Sequence, residues 1–161
     1  MKKMHSLILV SALATVLAVP AIAADAAGTA KQFFDAYRAR DVDAMAALFT
    51  KDATFAYVPF GEGGTGRVLE KGVPTWRGLI DAFPDLRNEV KQVWQDAPGN
   101  TAFVDVYIGG TQTKDAFGIP NKGQKFWLRH MFVVTTNDAR KITDITSYWD
   151  NATWFSQLGK Q

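Results

Sequence analysis

Residues 128–150, LRHMFVVTTNDARKITDITSYWD, form two apolar segments separated by a polar turn. Alternating apolar residues on both sides of such a turn predict a β-hairpin. His130 lies in the first segment and Asp144 in the second, although strands that build a core favour neither residue type. The central question is therefore whether these two ionisable side chains face the same side of the hairpin.

The first strand of this hairpin has one largely apolar face. His130 shares that face with Phe126, Leu128, Phe132 and Val134, because side chains in a strand alternate between its two sides. The histidine is therefore predicted to point into the interior or into a pocket. A lone histidine in that position is more often a core residue with one hydrogen bond than a catalytic group, and the sequence leaves both interpretations open.

The face occupied by Asp144 depends on the length of the turn. A three-residue loop over residues 138–140 would put the even positions of both strands on one face, with His130 opposite Tyr148. A loop of two or four residues would separate them. On a shared face, burial would raise the pKa of the Asp144 carboxyl, making it an acid or base near neutral pH. His130 would then orient it or stabilise an oxyanion.

The hydrophobic pattern of the whole chain places helices before most of the strands. Helical spacing predicts helices over residues 27–39, 42–49, 75–83 and 151–158. Strand-like runs cover residues 53–58, 86–94, 101–108, 126–134 and 142–149. This order indicates an α+β fold, with helices over one face of a curved antiparallel sheet that encloses a mostly apolar pocket. The glycine-rich residues 61–72 are predicted to form a mobile loop.

Residues 1–23 have the pattern of a secretory signal peptide. A short basic start, MKK, precedes an apolar run that ends at Ala21-Ile22-Ala23, which fits a cleavage site. We therefore expect a periplasmic or secreted protein, free of the membrane after cleavage, with a single domain over residues 24–161. A retained membrane anchor is the alternative, disfavoured by a short apolar run that Pro20 interrupts.

Charge and composition exclude several classes of function. Lys2 and Lys3 lie in the signal segment, so 16 of the 18 basic residues remain, against 16 acidic residues. A balanced chain without a basic stripe is not expected to bind nucleic acid. None of the 161 residues is cysteine, which excludes disulfides and thiolate sites. One His and one Asp do not make a metal site, and no cofactor-binding motif is present.

Four segments in this order resemble a known family: ALFTKDATF, DAFPDLRNEV, GGTQTKDAFGIPNKGQKF and RKITDITSYWD. Together they are similar to SnoaL-like polyketide cyclases, also called ester cyclases, of the nuclear-transport-factor-2-like superfamily. The resemblance extends over nearly all of the chain after the signal segment. It implies a cone-shaped α+β fold with a deep pocket, and ring closure by intramolecular aldol condensation without metal or cofactor.

The resemblance also implies site residues. The family's acid/base carboxylate corresponds to Asp144 and a histidine one strand earlier to His130, which implies that both side chains face the pocket. The glycine usual in the hairpin turn is Arg140 here. Ketosteroid isomerases share the fold but carry their base just before a proline after the first strand. Val58 occupies that position here, so a steroid isomerase of that design is not expected.

The sequence thus predicts a cofactor-independent enzyme of the cyclase or lyase type that acts on a small apolar or aromatic carbonyl compound. Asp144 and His130 are the predicted catalytic residues. Aromatic residues predicted to bind the ligand are Phe34, Tyr37, Tyr57, Trp76 and Phe132. Aromatic residues at the spacing of Tyr37, Tyr57 and Trp76 are more often plain core, whereas Phe34 and Phe132 are expected to serve as pocket wall and core at once. The alternative is a periplasmic protein that binds a small molecule in the same pocket without chemistry.

Two apolar residues, Trp127 and Met131, fall on the opposite face of the strand that carries His130. Large apolar side chains on an outer sheet face are typical of a protein–protein contact. We therefore expect a homodimer.

Overall fold

A computed structural model describes residues 25–160, so the predicted signal segment lies outside the described part of the chain. Helix α1 spans Ala26–Ala39 and α2 spans Val42–Ala47. Their first turns are capped by Asp25 and Asp41, whose carboxylates accept hydrogen bonds from backbone N–H groups that have no partner within the helix. Within residues 25–160, no helix combines the length and apolar character needed to cross a bilayer.

Two further α-helices lie within residues 25–160. Helix α3 spans Val73–Ala82 and α4 spans Asn151–Gln157. Asp150 caps α4 by accepting hydrogen bonds from the backbone N–H groups of Ala152 and Thr153. All four helices fall where the hydrophobic pattern predicts them, with ends that differ by a few residues.

Six strands form one curved sheet that packs against the helices. They are β1 (Phe49–Tyr57), β2 (Thr65–Arg67), β3 (Arg87–Gln95), β4 (Thr101–Thr111), β5 (Lys125–Thr136) and β6 (Ile142–Trp149). Their order across the sheet is β2-β1-β6-β5-β4-β3. All pairings are antiparallel except β1 with β6, which run in the same direction. The predicted α+β fold is confirmed, although β1 and β6 are parallel neighbours.

The glycine-rich segment predicted as a loop is folded into the edge of this sheet. A 3-10 segment over Val58–Gly64 leads into β2, and a single π turn over Val68–Gly72 leads into α3. Strand β2 pairs with β1. Glycines therefore allow the tight turns on either side of a short edge strand. The prediction of a loop over residues 61–72 is wrong.

The core lies between helix α1 and the concave face of the sheet. Phe33 and Phe34 are fully buried, and the ring of Phe34 meets that of Phe132 edge-on at 5.0 Å. Phe132 is itself 3% exposed, as expected for the apolar face of β5. Burial of an aromatic side chain of this kind stabilises the fold by about 1.5–3 kcal/mol, so these contacts hold α1 on the sheet.

The turn between β5 and β6 has the length that the sequence suggests. The backbone N–H of Asn137 donates to the carbonyl oxygen of Lys141 over 3.0 Å, which closes a three-residue loop over residues 138–140. Arg140 adopts the left-handed conformation with φ of 58°. Three-residue hairpin loops commonly place one residue there, most easily a glycine.

A β-bulge in β6 nevertheless shifts the register of this hairpin. Thr136 pairs with Ile142, but Thr135 pairs with Asp144, so Thr143 is an extra residue on β6. One extra residue exchanges the two faces of a strand beyond the bulge. His130 consequently pairs with Trp149 and not with Tyr148 as predicted.

Candidate active site

An aromatic cavity lies between the concave sheet face and the helices, with a volume of about 50 Å³. Both the helices and the strands of the sheet contribute side chains to its walls. The lining residues are Tyr37, Tyr57, Phe60, Thr75, Leu79, Ile108, Phe117, Phe126, Leu128, His130, Phe132, Ser147, Trp149 and Trp154. Among residues 25–160, no carboxylate side chain lines this cavity, so its polar character comes from one imidazole, hydroxyl groups and an indole N–H.

His130 is the ionisable group in the cavity wall whose charge state can change near physiological pH. Its Nδ1 lies 3.0 Å from the carbonyl oxygen of Leu128. A carbonyl oxygen only accepts, so Nδ1 carries the proton and Nε2 keeps a free lone pair. Burial lowers the pKa of His130 from 6.5 to about 4, since the hydrogen bond to Leu128 offsets only part of the desolvation. The imidazole is therefore neutral at pH 7, with Nε2 as an acceptor.

Two tyrosines supply hydroxyl groups to the same cavity. Tyr57 Oη accepts a hydrogen bond of 2.6 Å from Trp76 Nε1, which leaves its own O–H free to donate. Burial raises the pKa of Tyr57 and also that of Tyr37. Both hydroxyls therefore keep their protons at neutral pH and can donate to an oxygen of a ligand.

Asp144 does not take part in this cavity. It pairs with Thr54 of β1 and Thr135 of β5 on the convex side of the sheet. Its carboxylate accepts hydrogen bonds from the hydroxyls of Thr54, at 2.6 Å, and Thr146, at 3.2 Å. The prediction that Asp144 and His130 share a face is wrong, because the bulge at Thr143 turns Asp144 outward.

The predicted ligand-binding residues separate into two layers. Tyr37, Tyr57 and Phe132 line the cavity, whereas Phe34 and Trp76 lie behind its wall. Phe34 is fully buried against Phe132, and Trp76 supports the hydroxyl of Tyr57. Helical and strand periodicity in the sequence identified inward faces. It could not distinguish side chains that line the cavity from those that lie behind its wall.

Sequence reasoning missed Ser147 and Trp149, which replace the even-numbered residues of β6 in the cavity wall. A signal for this exchange is present in the sequence. Ile142 and Ile145 are both almost fully buried although three positions apart, a spacing that a regular strand cannot place on one face. The three-residue spacing of these two apolar residues is the trace that the bulge leaves in the sequence, but only strand pairing shows that both face inward.

Two phenylalanines from different loops close the mouth of the cavity. The rings of Phe60 and Phe117 stack with centroids 6.1 Å apart and planes inclined by 14°. Phe60 also meets Trp149 and Trp154. Phe117 has a φ of 55° and is 36% exposed. A cavity that admits a benzene ring is on the order of 150 Å³, so this cavity of about 50 Å³ must widen before it can hold an aromatic ligand.

Metal ligands are not clustered at this site. Across residues 25–160, no three His, Cys, Asp or Glu side chains lie close enough together to hold a metal ion. The donors that the cavity does offer are those suited to hydrogen bonding and proton transfer.

Comparison with known proteins identifies the family. The SnoaL-like domain family matches residues 30–145. The chain belongs to the SnoaL-like family. A match to a protein of Claviceps purpurea (strain 20.1) described as an ergochrome gene cluster protein has 29% identity over 86 residues, which are 53% of this chain and 56% of that relative. The chain thus aligns with little more than half of the relative's length.

Solved structures show the same fold at low sequence identity. IdmH from Streptomyces antibioticus, a proposed polyketide cyclase, superposes with a TM-score of 0.69 and 23% identity over 83% of this chain and 97% of that one. AclR from Streptomyces galilaeus, a proposed hydroxylase, superposes with a TM-score of 0.71 and 17% identity. The superposition covers 84% of this chain and 96% of AclR. These similarities establish the nuclear-transport-factor-2-like cone fold.

Proposed function

We propose that this SnoaL-like protein is a cofactor-independent enzyme that moves a proton next to a carbonyl group of a small apolar or aromatic compound, as a step of ring closure or isomerisation. The observation that carries the proposal is His130. Its Nδ1 is fixed by Leu128, its ring lines the aromatic cavity, and the neutral tautomer leaves the Nε2 lone pair as an acceptor. A neutral imidazole held in this way is suited to act as a general base.

The proposed step uses His130 and Tyr57. His130 Nε2 takes a proton from the carbon beside the carbonyl, the C–H electron pair forms the enolate, and negative charge collects on the oxygen. Tyr57 Oη–H donates to that oxygen, and its own hydrogen bond from Trp76 holds it in position. The imidazolium then returns its proton to carbon.

The low basicity of His130 limits the substrates it can deprotonate. An imidazole whose pKa is about 4 is a weak base, and proton transfer is efficient only when donor and acceptor are reasonably matched. We therefore propose a substrate whose C–H is already acidified, by two carbonyl groups or by conjugation with an aromatic ring.

Deuterium exchange at carbon tests this proposal. Purified protein is incubated in heavy water with β-ketoesters and polycyclic ketones, and exchange is followed by NMR. Wild type should catalyse exchange, and His130→Gln should lose about 100-fold or more. Asp144→Asn is the matched control and should retain the wild-type rate, because this carboxylate lies on the other face of the sheet. Loss in Asp144→Asn with retention in His130→Gln would overturn the assignment.

The alternative function is binding without chemistry. It is favoured by the fact that no carboxylate among residues 25–160 lines the cavity. Tight binding of a ketone without any exchange over the whole panel would support it.

We also propose that the protein is exported. The support is the pattern of residues 1–23, with its basic start, apolar run and Ala21-Ile22-Ala23 site. Mass spectrometry of protein recovered from outside the cytoplasm should give a chain that begins at Ala24; an uncleaved Met1 would contradict the proposal.

A further inference from the structure

Two polar side chains in the cavity wall have no hydrogen-bond partner among residues 25–160. They are the Ser147 hydroxyl and the Trp154 indole N–H, in residues that are 1% and 4% exposed. Leaving a buried donor unpaired costs more than a typical hydrogen bond contributes, and native proteins keep few such groups. Both residues line the same cavity, which suggests that a ligand supplies the missing partners.

Ser147 lies at the inner end, close to the proposed chemistry. It pairs with Phe132 of β5 and with Tyr57 of β1. His130 pairs with Trp149, two residues further along β6 on the same face, so Ser147 and His130 are diagonal neighbours across the two strands. An oxygen atom held by Ser147 therefore lies within reach of both Tyr57 and His130.

Trp154 lies at the other end, among the aromatic residues of the mouth. Its ring meets those of Phe60, Phe117 and Phe126 at centroid distances of 5.8, 5.9 and 6.1 Å. Phe60 connects this end with the other, since its ring lies 5.8 Å from that of Trp154 and 6.4 Å from that of Tyr57, the β1 partner of Ser147. The indole N–H can only donate, so its partner must be an acceptor atom.

We infer that Ser147 and Trp154 are specificity-determining residues that recognise two separate oxygen functions of one ligand. Ser147 donates to the carbonyl oxygen beside the acidic carbon, and Trp154 donates to a second oxygen at the opposite end. The aromatic walls between them accommodate a flat apolar body. This inference rests on the proposed use of the cavity and adds a requirement that a compound with one oxygen function does not meet.

The test compares three probes by isothermal titration calorimetry. 6-Hydroxy-2-acetylnaphthalene carries oxygen at both ends, 2-acetylnaphthalene lacks the hydroxyl, and 6-ethyl-2-naphthol lacks the carbonyl. In wild type, each oxygen should tighten binding by about fivefold, as expected for one net hydrogen bond. In Trp154→Phe the contribution of the hydroxyl should disappear, and in Ser147→Ala that of the carbonyl should disappear.

Matched controls separate recognition from general disturbance. Trp94→Phe removes an indole from the exposed sheet face, and Thr146→Ala removes a hydroxyl one residue from Ser147 on the other side of β6. Both should preserve the fivefold contribution of each oxygen. Since the Ser147 hydroxyl has no partner within the described part of the chain, Ser147→Ala without ligand should melt no lower than wild type.

The outcomes are distinct from those of the proton-transfer proposal, because binding is measured without turnover and can be repeated in His130→Gln. The inference is overturned if each ligand oxygen contributes as much to affinity in Ser147→Ala and Trp154→Phe as in wild type. It is also overturned if none of the three probes binds. A lowered melting temperature of Ser147→Ala would make this hydroxyl structural. A third outcome is that the affinity contributions of the oxygens vanish in the two variants as predicted, while wild type exchanges deuterium into no ketone. That result would support recognition by Ser147 and Trp154 and would remove the enzymatic proposal.

Discussion

His130 combines two effects that oppose each other. Burial among Phe132, Trp149 and other apolar groups disfavours the imidazolium, whereas the Leu128 carbonyl oxygen favours it. Desolvation is the larger effect, so the pKa falls to about 4. The same burial that makes the imidazole a weak base keeps its Nε2 lone pair available at every pH above that value.

This shifted pKa predicts a specific loss of stability in mild acid. Because the pKa is 6.5 in the unfolded chain and about 4 in the folded protein, the unfolded state binds more protons between these values. Stability conferred by the neutral imidazole is complete above pH 6.5 and is lost as the pH falls towards 4, by about 3 kcal/mol in total. Urea unfolding at several pH values measures it.

His130→Gln supplies the reference for that experiment, since it cannot titrate. The difference in unfolding free energy between the two proteins should shrink from pH 6.5 to pH 4. The carboxyl pKa values of Asp85, Asp105 and Asp150 are lowered. The stability lost when these carboxylates are protonated therefore disappears at lower pH than the stability that depends on His130. If the unfolding free energies of wild type and His130→Gln change in parallel with pH, His130 is accessible to water in the folded protein.

At the scale of elements, the β5–β6 hairpin decides which residues enter the cavity. Its loop accepts Arg140 in a left-handed conformation, where a glycine is usual in related hairpins. Its bulge at Thr143 then turns Asp144 to the convex face and Ser147 inward. The position of one extra residue therefore determines whether the cavity contains a carboxylate or a hydroxyl.

Arg140→Gly should stabilise the hairpin. A left-handed conformation strains any residue with a Cβ atom, and glycine adopts it freely. We expect the free energy of unfolding to rise by about 0.5–1 kcal/mol, as measured by urea titration. Ala139→Gly is the matched control, because its φ is not positive, and should lower stability. A loss of stability in Arg140→Gly would mean that the arginine side chain contributes more than the strain costs.

At the scale of the whole molecule, the convex face of the sheet is the largest feature that the cavity does not use. Apolar side chains cross its strands in adjacent rows, including Trp94, Phe103, Val133, Met131 and Tyr148. Trp94, Phe103 and Tyr148 are 48%, 39% and 46% exposed. Among them Arg129 and Asp105 form a two-pronged ion pair, with N–O distances of 2.8 and 2.7 Å.

We propose that this face joins two copies of the chain, as the outward positions of Trp127 and Met131 suggest. Exposed apolar rows around a neutralised ion pair are suited to self-association. Sedimentation velocity at micromolar concentration should show a dimer, and Phe103→Lys should give monomers. Leu69→Lys is the control, since Leu69 is 47% exposed but lies outside the sheet. A monomeric wild type would refute the proposal.

The sequence by itself determined the helices, most strands, the position of the hairpin turn and the inward face of β5, whereas the length of the turn was left open. These features depend on local periodicity and on turn geometry, which are encoded within a few residues of each position. His130, Tyr37, Tyr57 and Phe132 were found in this way, and all four line the cavity.

The tertiary structure alone decided which side of β6 faces the helices. A bulge depends on how β6 fits both β5 and the parallel strand β1, which is distant in sequence. The same holds for the mouth, where Phe60 and Phe117 meet only because two separate loops converge. Local patterns fix the alternation of side chains along a strand, but pairing with remote neighbours fixes its register, and register determines the chemistry of the cavity.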